Sequence, residues 1–111
     1  MIKFSLKNPA AGAYLWSPVV YIGGGSYYPD RYLLLTESWS MEIANDGYVD
    51  FRCVLYNWDF SVLDKRTVYN LFVKNGHDYE YNWATNTVSD ITEPTIGDPE
   101  FRNLSCSYRR A

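Results

Sequence analysis

With 111 residues, 47% of them hydrophobic and 21% charged, the chain carries enough apolar material for one folded core and lies far from the composition of disordered chains. Its formal charge of −3, with the ten Lys and Arg scattered apart from the pair Arg109 and Arg110, excludes the concentrated positive stripe that nucleic-acid binding requires. The start lacks a signal-like apolar run and no stretch reaches the ~20 apolar residues of a membrane span, so the chain reads as a soluble, single β domain over residues 1–111 with no membrane partner.

In chain order, Ile2, Phe4 and Leu6 alternate with Lys3, Ser5 and Lys7, the pattern of a half-buried strand with a wet face. The next segment groups Tyr14, Trp16, Tyr21, Tyr27 and Tyr28 around Ser17, Pro18 and the run Gly23-Gly24-Gly25-Ser26. That Tyr, Ser and Gly mixture suits an adaptable binding loop, and its competing reading is a hairpin from residues 19–22 into Tyr27 whose rings pack on the sheet. Trp39, Met41 and Ile43 alternate with Ser38, Ser40 and Glu42, and Asn45-Asp46-Gly47 leads into a strand over residues 48–58, which predicts a hairpin.

On that strand Val49, Phe51, Cys53 and Leu55 form one side, leaving Tyr48, Tyr56 and Trp58 on the other with Asp50 and Arg52. Three rings on a nominal solvent face make a candidate contact patch. Residues 67–73 and 79–83 predict a second hairpin about Asn75-Gly76, with a short helix near 61–74, capped by Ser61, as the rival reading. Tyr56-Asn57-Trp58 recurs as Tyr81-Asn82-Trp83; if the two strands neighbour each other, their rings form a cross-strand ladder. Residues 84–100 read as a surface connection with a short edge strand, and 101–109 as a final strand.

These segments predict an all-β fold, an antiparallel β-sandwich or small barrel of about seven to eight strands. The interval from Cys53 to Cys106 invites comparison with immunoglobulin domains. Trp58 follows the first cysteine too closely, however, and Leu104 stands where the tyrosine corner belongs, so the chain is not assigned there. Two cysteines are too few for a disulfide framework or a zinc site; the pair reads as buried free thiols, with a long-range bridge as the alternative if their strands face each other at ~5.5 Å between Cα atoms.

The chemistry-bearing residues are sparse. His77 beside Asp78 reads as a polar turn, Asp46 and Asp50 as a solvated turn, and the Gly23 run lacks the Lys and Ser or Thr of a phosphate loop. No catalytic set, metal site or cofactor motif is expected, and the chain reads as a non-enzyme. Against one histidine stand Tyr 11, Phe 5 and Trp 4, a surplus suited to contact surfaces.

The leading functional expectation is therefore a recognition module that binds a protein partner, or further copies of itself, through exposed Tyr and Trp, as a subunit of a larger assembly such as a virus particle. The candidate binding residues are Tyr14, Trp16, Tyr21, Tyr27, Tyr28, Tyr48, Tyr56, Trp58, Tyr81 and Trp83. The alternative is a lectin-like, carbohydrate-binding module with Asn57, Asn82, Asp30 or Glu80 as hydroxyl partners, and the third is a small inhibitor or immunity-type protein.

Overall fold

Alternating apolar residues can bury one side of a strand only by placing it on a second layer. The computed structural model describes residues 1–93, and over these it is all-β, with two sheets packed face to face and no helix. The strands are β1 (Ile2–Lys7), β2 (Leu15–Ile22), β3 (Gly25–Tyr27), β4 (Leu33–Leu34), β5 (Trp39–Met41), β6 (Gly47–Tyr56), β7 (Val62–Val73), β8 (Asp78–Asn82) and β9 (Thr87–Asp90). One sheet has the order β5-β1-β8-β9; the other runs β3-β2-β6-β7, with β4 also paired to β2.

Both sheets are open, so the described residues form a sandwich-like pair rather than a closed barrel. The pairing is also not wholly antiparallel, because β1 and β8 run in the same direction, Lys3 opposite Asp78 and Lys7 opposite Asn82. The expected final strand over 101–109, and Cys106 with it, lie outside the described residues.

The core follows from period-two alternation. Ile2 and Phe4 on β1, Tyr79 and Tyr81 on β8, Trp16 and Val20 on β2, and Val49, Phe51, Cys53 and Leu55 on β6 are buried together. The Phe4 ring stacks on Phe51 across the sheet gap at 4.6 Å between centroids, and Phe51 meets Tyr81 at 5.3 Å. Burying these side chains stabilises the fold by roughly 1.5–3 kcal/mol for each large apolar group.

Pro18 lies inside β2, a position a central strand disfavours because proline donates no ladder hydrogen bond. The short strands β4, opposite Leu15 and Trp16, and β3, opposite Val20 to Ile22, share one flank of β2. Pro18 falls in the gap between them.

Three local expectations need correction. The rival helix near 61–74 does not form: Val62–Val73 are the long strand β7, which contains the strand expected over 67–73, and Ser61 bonds Asp59 Oδ1 through its amide at 3.2 Å and its hydroxyl at 2.6 Å, closing the turn that joins β6 to β7. Val62, Thr67, Val68 and Tyr69 favour that extended conformation, and β6 supplies a partner for almost its whole length.

The predicted hairpin about Asn45-Asp46-Gly47 is a crossover instead, since β5 pairs with β1 in one sheet while β6 enters the other. None of those three residues adopts the positive φ that a two-residue hairpin loop requires. The predicted hairpin about Asn75-Gly76 is likewise a crossover, from β7 to β8. The two crossovers meet at one end of the molecule, where the Asn75 amide donates to Asp46 Oδ1 at 2.8 Å and the Gly76 amide to the Met1 carbonyl at 2.8 Å. By contrast the competing reading of the Gly23 segment, a hairpin, does form as β2–β3, with Gly23 at φ 56° and Gly24 at φ 86° in its loop, although Tyr27 and Tyr28 are exposed rather than packed on the sheet.

Candidate recognition surface

The outward sides of the two sheets differ in chemistry. On the four-stranded sheet, Lys3, Ser5 and Lys7 of β1 stand beside Asp78, Glu80 and Asn82 of β8, followed by Ser89 and Thr87 of β9. Lys3 Nζ lies 3.7 Å from Asp78 Oδ2, a solvent-exposed ion pair. This is the polar face expected of a sheet turned to water.

The five-stranded sheet is different. Strand β6 is regular, its two register shifts being absorbed by extra residues in β7, so Tyr48, Asp50, Arg52, Val54 and Tyr56 share its outward side. Their partners on β2 are Tyr21, Val19, Ser17 and Leu15, and on β7 they include Phe72 and Val62. Tyr48 is 70% exposed and its ring meets Phe72 edge-on at 5.0 Å.

At the opposite end Tyr32 packs edge-on against Tyr56 at 4.7 Å and lies 5.1 Å from Phe60. Leu34, opposite Leu15, and Val62, opposite Tyr56, are also exposed there. Between the two ring clusters Arg52 donates to Thr67 Oγ1 at 3.1 Å and sits 5.6 Å over the Tyr21 ring. The face is thus aromatic at both ends and charged in the middle.

The segment after β3 is held tightly over this sheet. Arg31 makes a two-pronged bond to Glu37 at 3.0 and 2.6 Å, and Glu37 Oε1 also accepts the Leu34 amide at 2.8 Å. The Arg31 guanidinium, aided by that amide, brings the Glu37 carboxyl down to about 2. Trp16 Nε1 donates to the Glu37 carbonyl at 3.1 Å, anchoring the segment to the core. Beneath it opens a groove of about 260 Å³ lined by Ser17, Tyr28, Asp30, Arg31, Tyr32 and Tyr56. A second, more apolar cleft of about 370 Å³ lies at the β3–β5 edge, where Ile22, Tyr27, Met41, Ile43 and Val49 meet.

Comparison of the chain with protein families, curated proteins and solved structures found no match.

Of the ten sequence-predicted binding residues, Tyr14, Tyr27, Tyr28, Tyr48 and Trp58 are exposed, and Tyr21 and Tyr56 are half-buried on the outward face. Three sit in the core. Trp16 is fully buried beside Leu55 and Leu33; Tyr81 is 0% exposed and Trp83 4%. Tyr81 donates to Asn86 Oδ1 at 2.6 Å, and Arg66 lies 4.2 Å over the Trp83 ring while bonding its carbonyl at 2.6 Å. The ladder between Tyr56-Asn57-Trp58 and Tyr81-Asn82-Trp83 does not form, because β6 and β8 belong to different sheets.

Sequence reasoning missed Tyr32, Phe60, Tyr69 and Phe72 as exposed rings. A signal for Phe72 existed: it stands between Leu71 and Val73, so residues 71–73 place apolar side chains on both sides of their strand.

The chemistry-bearing groups are engaged in structure. His77 Nδ1 lies 2.7 Å from Asp90 Oδ2, and Asp50 Oδ1 accepts the Asn70 amide at 3.0 Å. Burial pushes the Cys53 thiol up to about 12, so it is a poor nucleophile near neutral pH. Among the described residues no group of three or more metal-ligating side chains comes together. No helix among them is long and apolar enough to cross a membrane.

Proposed function

We propose that the chain is a non-catalytic recognition domain that binds protein through the outward face of its five-stranded sheet, as a subunit of a larger assembly. The contrast between the two outward faces carries this reading. One sheet presents Lys, Ser, Asp and Glu, whereas the other presents Tyr21, Tyr48, Tyr56, Phe72, Leu15 and Val62 at positions of the same register parity. Tyr and Arg are enriched in the centres of protein interfaces, where a ring offers large contact area at small entropic cost.

A second copy of the chain is the partner the reading tests first, because assembly subunits repeat the same contact. Sedimentation velocity of the full chain should show concentration-dependent association. A Tyr48→Ser/Phe72→Ser variant should lose it while keeping its far-UV circular dichroism, since both side chains are exposed and contribute little to the core. A chain that stays monomeric at every concentration, or associates equally well with both rings removed, overturns this assignment.

A further inference from the structure

The groove under the Tyr28–Tyr32 segment combines features that a flat protein contact does not need. Its walls are rings: Tyr32 is fixed edge-on to Tyr56 at 4.7 Å, and Tyr28 is exposed at its rim. Its polar groups are the hydroxyls of Ser17 and the tyrosines, which both donate and accept, and the acceptor-only carboxylate of Asp30. The Asp30 carboxylate is exposed and makes no hydrogen bond or ion pair among the described residues, and the buried Ser17 hydroxyl makes only a 3.3 Å bond to the adjacent Pro18 carbonyl. Among the described residues the one cation lining the groove, Arg31, is engaged by its two bonds to Glu37.

We infer that this groove binds a neutral sugar ring, stacked on the tyrosines, with its hydroxyls donating to Asp30 and Ser17. A pyranose presents a C–H face suited to an aromatic ring and an edge of hydroxyl donors, which matches rings flanked by free acceptors. An anionic ligand would meet Asp30 with no uncommitted cation to offset it. A proline-rich peptide also docks on tyrosines, whose phenols can donate to its carbonyls, but proline has no N–H to satisfy the Asp30 carboxylate. The Arg31–Glu37 clamp and the Trp16 anchor hold the segment in place before any ligand arrives, which reduces the ordering cost of binding. The volume of about 260 Å³ lies below the range for drug-sized ligands and suits a single ring.

The sugar site shares Tyr56 with the proposed protein-binding face, but its other residues, Asp30 and Tyr28, lie away from Tyr48 and Phe72 at the far end of that face. The test is a glycan array probed with the full chain, followed by saturation-transfer NMR with methyl hexopyranosides. Neutral glycans should bind, and Asp30→Asn and Tyr28→Ala should each weaken binding by about tenfold, the scale of one charge-assisted hydrogen bond or one stacked ring. Ser89→Ala, on the outward side of the other sheet, should leave it unchanged. A blank array with no saturation transfer overturns the inference, as does binding that ignores both groove substitutions. Preferential binding of acidic glycans, or displacement of resonances in this groove by a proline-rich peptide and not by sugar, overturns it as well.

Discussion

Single residues carry their energetics through what surrounds them. Cys53 faces a core of rings, and burial raises its thiol from an ordinary value of 9.0 to about 12. Burial likewise raises the Tyr81 phenol from 10.0 to about 12. Both groups are neutral in the folded and unfolded chain below about pH 9, so their contribution to stability is fully present there. As pH rises toward 12 the unfolded chain ionises first, and the stability they confer is lost. The urea midpoint, followed by circular dichroism, should therefore fall steadily from about pH 9 upward, the window these raised values set. A midpoint that is level through that range would contradict the burial of both groups. The reading of Cys53 as a buried thiol on the apolar side of β6 was legible in the chain, whereas the position of the Tyr81 phenol was not. Tyr81 belongs to a strand whose partner, β1, is 75 residues away, Leu6 opposite Tyr81, and local pattern could not foresee its depth.

Turns show why elements were only partly legible. Gly23-Gly24, Asn45-Asp46-Gly47 and Asn75-Gly76 all contain hairpin-competent residues, yet only the first joins two adjacent strands of one sheet. Such residues permit a tight reversal without requiring one, and the chain uses the other two sites to step between layers. The difference is testable by substitution. At Gly24, φ is 86° and an added Cβ meets nothing within 4 Å, so Gly24→Ala should cost only the left-handed conformational penalty, about 1 kcal/mol. Gly24→Asn should cost less, because asparagine tolerates that region. Gly47 has equally open surroundings and no positive φ, so Gly47→Ala should stay within about 0.5 kcal/mol of the parent. Denaturant unfolding of the three variants checks the order; a Gly47→Ala cost as large as that of Gly24→Ala would return the 45–47 segment to a hairpin-type loop.

At the scale of the whole molecule, β1 is the strand on which one layer depends. It lies between β5 and β8, supplies Ile2 and Phe4 to the core, and through the Met1 carbonyl holds the crossover at Gly76. Its own pattern is local, but its neighbours come from residues 39–41 and 78–82. Removing residues 1–7 should abolish the cooperative unfolding transition rather than lower its midpoint, because β5 loses its partner and β8 keeps only β9. A sharp transition in the truncated chain, seen by tryptophan fluorescence against urea, would refute this dependence.

The same scale divides what the chain alone determined from what the fold decided. Period-two alternation fixed the inward sides of β1 and β6, because successive side chains on a strand point to opposite faces whatever lies beside it. Ile2, Phe4, Val49, Phe51, Cys53 and Leu55 were therefore legible as core. Alternation says nothing about which strand lies alongside or whether a second layer covers the other side. Only the tertiary structure decided that Trp16, Tyr81 and Trp83 are buried while Tyr48, Tyr28 and Trp58 are not. Strand pairing between distant segments made that decision, and it set Tyr32 beside Tyr56 and Phe72 beside Tyr48 at the two ends of one outward face.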